Sequence, residues 1–110
     1  MKHIDIAKDF SRHPAGRFRS DGPYSGELFR VKFLEPAISK NEAIEVSFDG
    51  ARGYGSSFLE EAFGGLVRKG FPAEVLMRLI RLRSSNSVLI EQILKYIRES
   101  KPESTRKNIS

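Results

Sequence analysis

Apolar residues recur along this chain with two different periods, and the change from one to the other marks the elements. Ile4 and Ile6 alternate with Asp5 in residues 3–8, which predicts a first strand with one buried face. From Ser11 to Gly26 the chain carries Pro14, Gly16, Gly22, Pro23 and Gly26 among Arg12, Arg17 and Arg19, so neither period runs through it and a long loop is expected. After Ser25, the residues Glu27, Leu28, Phe29, Val31, Phe33 and Leu34 predict a first helix that Pro36 ends or kinks. Ile44, Val46 and Phe48 then alternate up to Asp49-Gly50, a strand followed by a turn.

The glycine-rich stretch Ala51-Arg52-Gly53-Tyr54-Gly55 leads into Ser56-Ser57. Beyond it Leu59, Ala62, Phe63, Leu66 and Val67 fall at helical spacing, with Gly70 as the expected stop. Ser57 and Glu60 match a capping box. Gly64-Gly65 inside the helix weakens it by about 1 kcal/mol per glycine, so close approach of a neighbouring backbone, with the helix packed on a sheet, is the expected reason. A short helical turn over 73–77, a strand over 79–83 and a last helix follow. Ser84, Ser85 and Ser87 are the expected caps of that helix, and Ile90, Ile93, Leu94 and Ile97 form its buried stripe. The order predicts a small α/β domain over 1–99, a short mixed sheet covered by helices with its later strands parallel, and a disordered polar tail over 100–110.

Composition narrows the chemistry. At 110 residues the chain buries about two-thirds of its unfolded surface, enough for one core and too little for a large internal cofactor pocket. No cysteine is present, which excludes a disulfide framework and a cysteine nucleophile and points to a reducing compartment, the cytoplasm. No apolar run is long enough to span a bilayer, and Met1-Lys2-His3-Ile4-Asp5 does not read as a secretion signal. No phosphate loop, zinc helix, nucleophile elbow or dinucleotide fingerprint occurs, and His3 and His13 lack partners at metal spacing. No cofactor, metal or catalytic residue is assigned. The adjacent Glu60 and Glu61 point to different sides of a helix and do not share a reacting atom.

The net charge is +5, of which Lys101, Arg106 and Lys107 against Glu103 supply +2 in the tail. Arg78, Arg81 and Arg83, with Arg68 and Lys69, make one region basic, which keeps a nucleic-acid-binding module as the alternative reading. No aromatics interleave with those arginines to stack bases. Arg17 and Arg19, close to Asp21, offer an anion contact, although no general base stands beside them to make an enzyme of it.

The most informative constellation is the strand 44–48, the loop 49–55 and the helix opening at Ser56-Ser57-Phe58. A serine there caps the helix, and the free N–H groups and helix dipole would also favour a phosphate. Ile44-Glu45-Val46-Ser47-Phe48-Asp49-Gly50 and the run from Gly55 to Gly64, with Gly16-Arg17 and Asp21-Gly22-x-x-Ser25-Gly26 upstream, resemble the STAS-like domain family of unknown function over residues 3–99. The resemblance implies kinship with anti-sigma-factor antagonists, in which a serine opening this helix is phosphorylated by an ATPase-fold kinase, toggling partner binding. Ser56 is the matching position. Their Asp-Ser-Ser-Gly reads Gly55-Ser56-Ser57-Phe58 here, without the acidic residue. The resemblance therefore implies a docking surface at Gly53, Gly55, Ser56, Ser57 and Phe58, a histidine-kinase-like ATPase as protein partner, and a non-enzymatic regulatory role. An exposed Phe58 is expected either to anchor a partner or to close the core.

Overall fold

The computed structural model describes residues 1–103. Three short strands, β1 (Lys2–Asp5), β2 (Ile44–Ser47) and β3 (Ile80–Arg83), form an all-parallel sheet with β2 in the middle. The register aligns Lys2 with Ile44 and Ile80, and Ile4 with Val46 and Leu82. Because side chains alternate along a strand, Ile4, Ile44, Val46 and Ile80 share the buried face while His3, Glu45, Arg81 and Arg83 share the other. The helices cover the first face.

Two long helices carry the crossovers. The first, α1, runs over 26–39, and the second, α2, over 56–68. Each has one wide turn in its middle, Arg30–Leu34 in α1 and Glu60–Gly64 in α2. The two helices touch each other, as sequential parallel crossovers of one hand on one sheet face require. A shorter α3 (Ala73–Leu79) leads directly into β3, and α4 (Ser87–Glu99) packs across the middle of α2 through Ile93 and Ile97. No helix among the described residues is long and apolar enough to cross a membrane.

The α/β architecture expected from the sequence is present, its sheet being parallel throughout rather than mixed, and several boundaries move for identifiable reasons. The first strand stops at Asp5, whose carboxylate accepts the Lys8 N–H at 3.3 Å and opens a wide helical turn over Ile6–Phe10. Ile6 stays buried in that turn, so the alternation of Ile4 and Ile6 reports burial and not strand length. The first helix continues through Pro36 to Ser39. A regular helix would drive the proline ring into the preceding turn, and the wide turn just before it relieves that clash. Ser25 caps its start, accepting from Leu28 N at 3.1 Å.

At the last helix the cap is Asn86, whose Oδ1 accepts from Val88 N at 3.0 Å. Ser84 and Ser85 serve the turn before it instead, Ser85 donating to Asp49 at 3.1 Å. The helical turn of 73–77 extends to Leu79. Gly50 at φ +99° and Gly70 at φ +107° occupy the left-handed region at the two expected stops. The tail does not begin at residue 100. Ser100 N donates to Tyr96 O at 3.2 Å and Glu103 N to Arg68 O at 3.2 Å, so residues 100–103 belong to the fold. The remainder of the expected tail, including Arg106 and Lys107, lies outside the described residues.

Candidate functional site

The loop after β2 is held at both ends. Tyr54 hydroxyl donates to Phe48 O at 2.6 Å, and the Tyr54 ring meets the Phe48 ring edge-on. Burial, reinforced by Asp5 and Asp49, raises the Tyr54 hydroxyl pKa above its ordinary value. Arg52 N donates to Arg12 O at 2.9 Å, which ties this loop to the one that follows β1. Gly53 and Gly55 stand clear of other atoms, and Gly55, in extended conformation, is the residue from which α2 starts.

Ser56 and Ser57 are therefore presented on solvent at the start of α2, with no side chain capping the first turn. The expected capping box is not formed, because Glu60 turns away from the helix start toward Arg68 and Arg17. Phe58 is not exposed beside Ser56 and Ser57, so it takes no part in the docking surface expected there. It is fully buried among Phe10, Phe29 and Tyr54 and anchors the helix start to the core. The loop and the two serines thus form an exposed rim on a rigid aromatic base.

One turn further along α2 lies a network the sequence reading did not contain. Arg30 is buried, with its Nε 2.8 Å from Glu35 and its Nη1 2.5 Å from Glu61 Oε2 and 3.0 Å from the Glu61 carbonyl. Arg68 grips Glu60 through both terminal nitrogens at 2.7 and 3.0 Å and reaches Glu61 at 3.1 Å. Arg17 Nη1 joins the same two carboxylates at 2.5 and 3.2 Å, so Glu60 and Glu61, expected to point apart, meet on one nitrogen because their long side chains bend to the same guanidinium. The Arg68 hydrogen bonds, aided by Arg17 and opposed by burial, lower the Glu60 pKa to about 2. The same pairing with Glu60 raises the guanidinium pKa of Arg17 and Arg68. Arg17 is thus committed to glutamates and is not the anion contact expected of it, while Arg19 is exposed and meets Glu27 only through its backbone N–H.

The glycines explain how these groups fit. A Cβ at Gly65 would overlap Arg30 Nη1, and one at Gly64 would lie 2.6 Å from both Glu60 Oε2 and Ser100 Oγ. Side chains, not a neighbouring backbone or the sheet, fill the space those glycines leave. The close backbone approach lies at Gly26, where a Cβ would overlap the Phe58 carbonyl oxygen. The network had a signal in the sequence: Gly26, Phe29, Arg30, Phe33, Leu34, Ala37 and Ile38 make one helical stripe, with an arginine inside it. Phe58, Glu61, Ala62, Gly65 and Leu66 make the facing one, with a glutamate inside it.

The other basic residues do not gather into one patch. Arg78 is exposed on α3, and Arg81 and Arg83 lie on the open sheet face, where Arg83 Nη1 is 3.2 Å from Glu45 Oε2. His3 Nδ1 lies 3.9 Å from the same carboxylate, and Asp5 and Asp9 line a surface hollow beside them. Acids thus interleave with the bases. Among the described residues no cluster of three or more metal-binding side chains occurs.

A family model for STAS-like domains of unknown function matches residues 25–89, which include α1, β2, the loop, α2 and β3. Comparison with curated proteins and with solved structures gave no significant match.

Proposed function

Since the chain belongs to the STAS-like domain family of unknown function, we propose that it is a non-enzymatic regulatory module that binds a protein partner through the loop 50–55 and the start of α2. The partner is an ATPase-fold kinase of the histidine-kinase-like type, met in the cytoplasm, and phosphorylation of Ser56 is the switch. The observation that carries this reading is the exposure of Ser56 and Ser57 at an uncapped helix start whose next residue, Phe58, is locked in the core. A kinase can reach the hydroxyl without unfolding the helix. The phosphate adds about two negative charges at a terminus whose free N–H groups and dipole favour them. The modified helix stays folded, and a docked partner meets a changed charge on an unchanged backbone.

Affinity purification from the source cells with Mg-ATP, together with the intact mass of the bait, tests the pairing. The expected result is an ATPase-fold protein, or a phosphate on the bait. Titration of that partner against wild type, Ser56→Ala and Ser56→Asp then tests the switch, with at least a tenfold change of Kd expected for Ser56→Asp, about 1.4 kcal/mol. Equal affinity in all three chains would refute the switch. Recovery of nucleic acid alone with an unmodified bait would refute the docking reading and favour the arginines of β3.

A further inference from the structure

Residues 100–103 leave α4 and cross the side of α2 as a strap. Ser100 Oγ donates to Tyr96 O at 2.8 Å and reaches Glu60 Oε2 at 3.4 Å. It sits over Gly64, in the place a Cβ would take. At the other end, Glu103 N–H donates to the Arg68 carbonyl at 3.2 Å, where the last turn of α2 leaves acceptors unsatisfied. Extended peptides are commonly held by main-chain bonds that give affinity and side-chain seats that give specificity, and the strap has one of each.

The strap fills that groove incompletely. Glu103 forms one wall of a cavity of about 270 Å³ that stays open beside it, between the loop 16–18 and α2. Three features of this cavity are left unused by the strap. Phe18, on its rim, is 48% exposed. Arg30, only 3% exposed, lines it and makes its hydrogen bonds through Nε and Nη1, with Nη2 taking no part in them. Lys69 lines it too, exposed, whereas Arg17 and Arg68 are committed to Glu60 and Glu61. Glu27 and Glu61 line it as well, Glu61 engaged by three arginines and Glu27 accepting from the Arg19 N–H. The remaining arginine donor and the ammonium group are left for a carboxylate, with the uncovered ring beside them for an apolar side chain.

We propose that the groove over Gly64 and the adjoining cavity form a peptide-binding site for an extended partner segment carrying a hydroxyl and, three residues later, an acidic residue, and that residues 100–103 are its intramolecular competitor. This site lies on the flank of α2 and stands independently of Ser56. A partner that displaces the strap repeats its two anchors and adds contacts in the cavity. The short connection to α4 gives the strap a millimolar effective concentration, so it holds off weak ligands and yields to stronger ones.

The test uses the full chain and the peptide acetyl-Ser-Lys-Pro-Glu-amide, followed by amide chemical shifts of Gly64, Gly65 and Arg68. Ser100→Ala with Glu103→Pro removes both anchors of the strap and leaves Gly64, Gly65 and Arg68 in place, although it replaces the cavity wall at Glu103. The peptide is expected to shift those amides in this variant at about 1 mM, and about twofold less readily in the wild type, where a strap at millimolar effective concentration competes with it. The same peptide ending in lysine should bind more weakly. Adding Gly64→Ala, whose methyl takes the seat of the Ser100 hydroxyl and also presses on Glu60 Oε2, should abolish the shifts, with a thermal melt to show that this variant is still folded. Ser100→Ala alone keeps every backbone bond and gives the same direction with a smaller factor, should the double variant fold poorly. Equal responses in wild type and variant, no response in the variant, or shifts that survive Gly64→Ala would each overturn the proposal.

Discussion

Removing one partner of the buried Arg30–Glu61 pair should have unequal consequences depending on which partner goes. In Arg30→Met, Glu61 keeps Arg17 at 3.2 Å and Arg68 at 3.1 Å, so its charge remains compensated. The loss is the 2.5 Å pair itself and the packing over Gly65, about 2 kcal/mol. In Glu61→Leu the buried guanidinium of Arg30 keeps one carboxylate, Glu35 on the Nε side, and Nη1 keeps only the neutral main-chain carbonyl of residue 61. Leaving a buried charge short of its partner costs about 4 kcal/mol, the middle of the usual 3–5. The double variant Arg30→Met/Glu61→Leu removes both charges together and should fall about 3 kcal/mol below wild type, well short of the sum. Urea unfolding of the four chains at neutral pH, with equal slopes required, measures all three differences. Equal costs for Arg30→Met and Glu61→Leu, or strict additivity in the double variant, would refute the compensation of Glu61 by Arg17 and Arg68.

Acid sensitivity should trace to Glu60. Its folded pKa is lowered to about 2, so the Arg68 and Arg17 pairing contributes stability that is complete above about pH 4.5 and is lost as pH falls toward 2. With about a fifth of its side chain exposed, a contribution of about 2 kcal/mol is expected, and Glu60→Gln should remove it and flatten the stability profile across that window. An unchanged acid limb in Glu60→Gln, read by urea midpoints from pH 6 to 2.5, would assign acid sensitivity elsewhere. Gly26→Ala places a methyl against the Phe58 carbonyl, backbone that cannot turn aside, and should destabilise by about 2–3 kcal/mol despite alanine's better helix propensity. A thermal melt at or above wild type would contradict the close approach.

The parts of this fold that the sequence showed plainly are those in which one period runs without interruption. Ile44, Val46 and Phe48 gave β2, and Leu59, Ala62, Phe63, Leu66 and Val67 gave α2 with its stop at Gly70. The wide turns in both helices were hidden, because the apolar stripe continues through each of them, as Leu59, Ala62, Phe63 and Leu66 do in α2. Ser56 and Ser57 could be placed at a helix start from spacing alone, but the fate of Phe58 could not. Its burial depends on Phe10 and Phe29 arriving from elsewhere in the chain. The Arg30–Glu61 pair went unseen for the same reason. Each residue breaks an apolar stripe by itself, and only the facing of the two stripes shows that the breaks coincide.

The all-parallel order β1-β2-β3 sets a timetable for the growing chain. No two strands are joined by a hairpin: Lys2 must find Ile44, and Ile44 must find Ile80, each across a full crossover. Such distant pairings make a domain slow to fold for its size, since loop closure precedes every rewarding contact. The last strand, Ile80–Arg83, and the α4 residues that close the core come from the final third of the chain. A ribosome that has released only the first two strands therefore holds an emerging chain whose central strand has one uncovered edge. In that interval the unpaired main-chain groups along that edge of β2 stand open to whatever is nearby, chaperone or neighbouring chain.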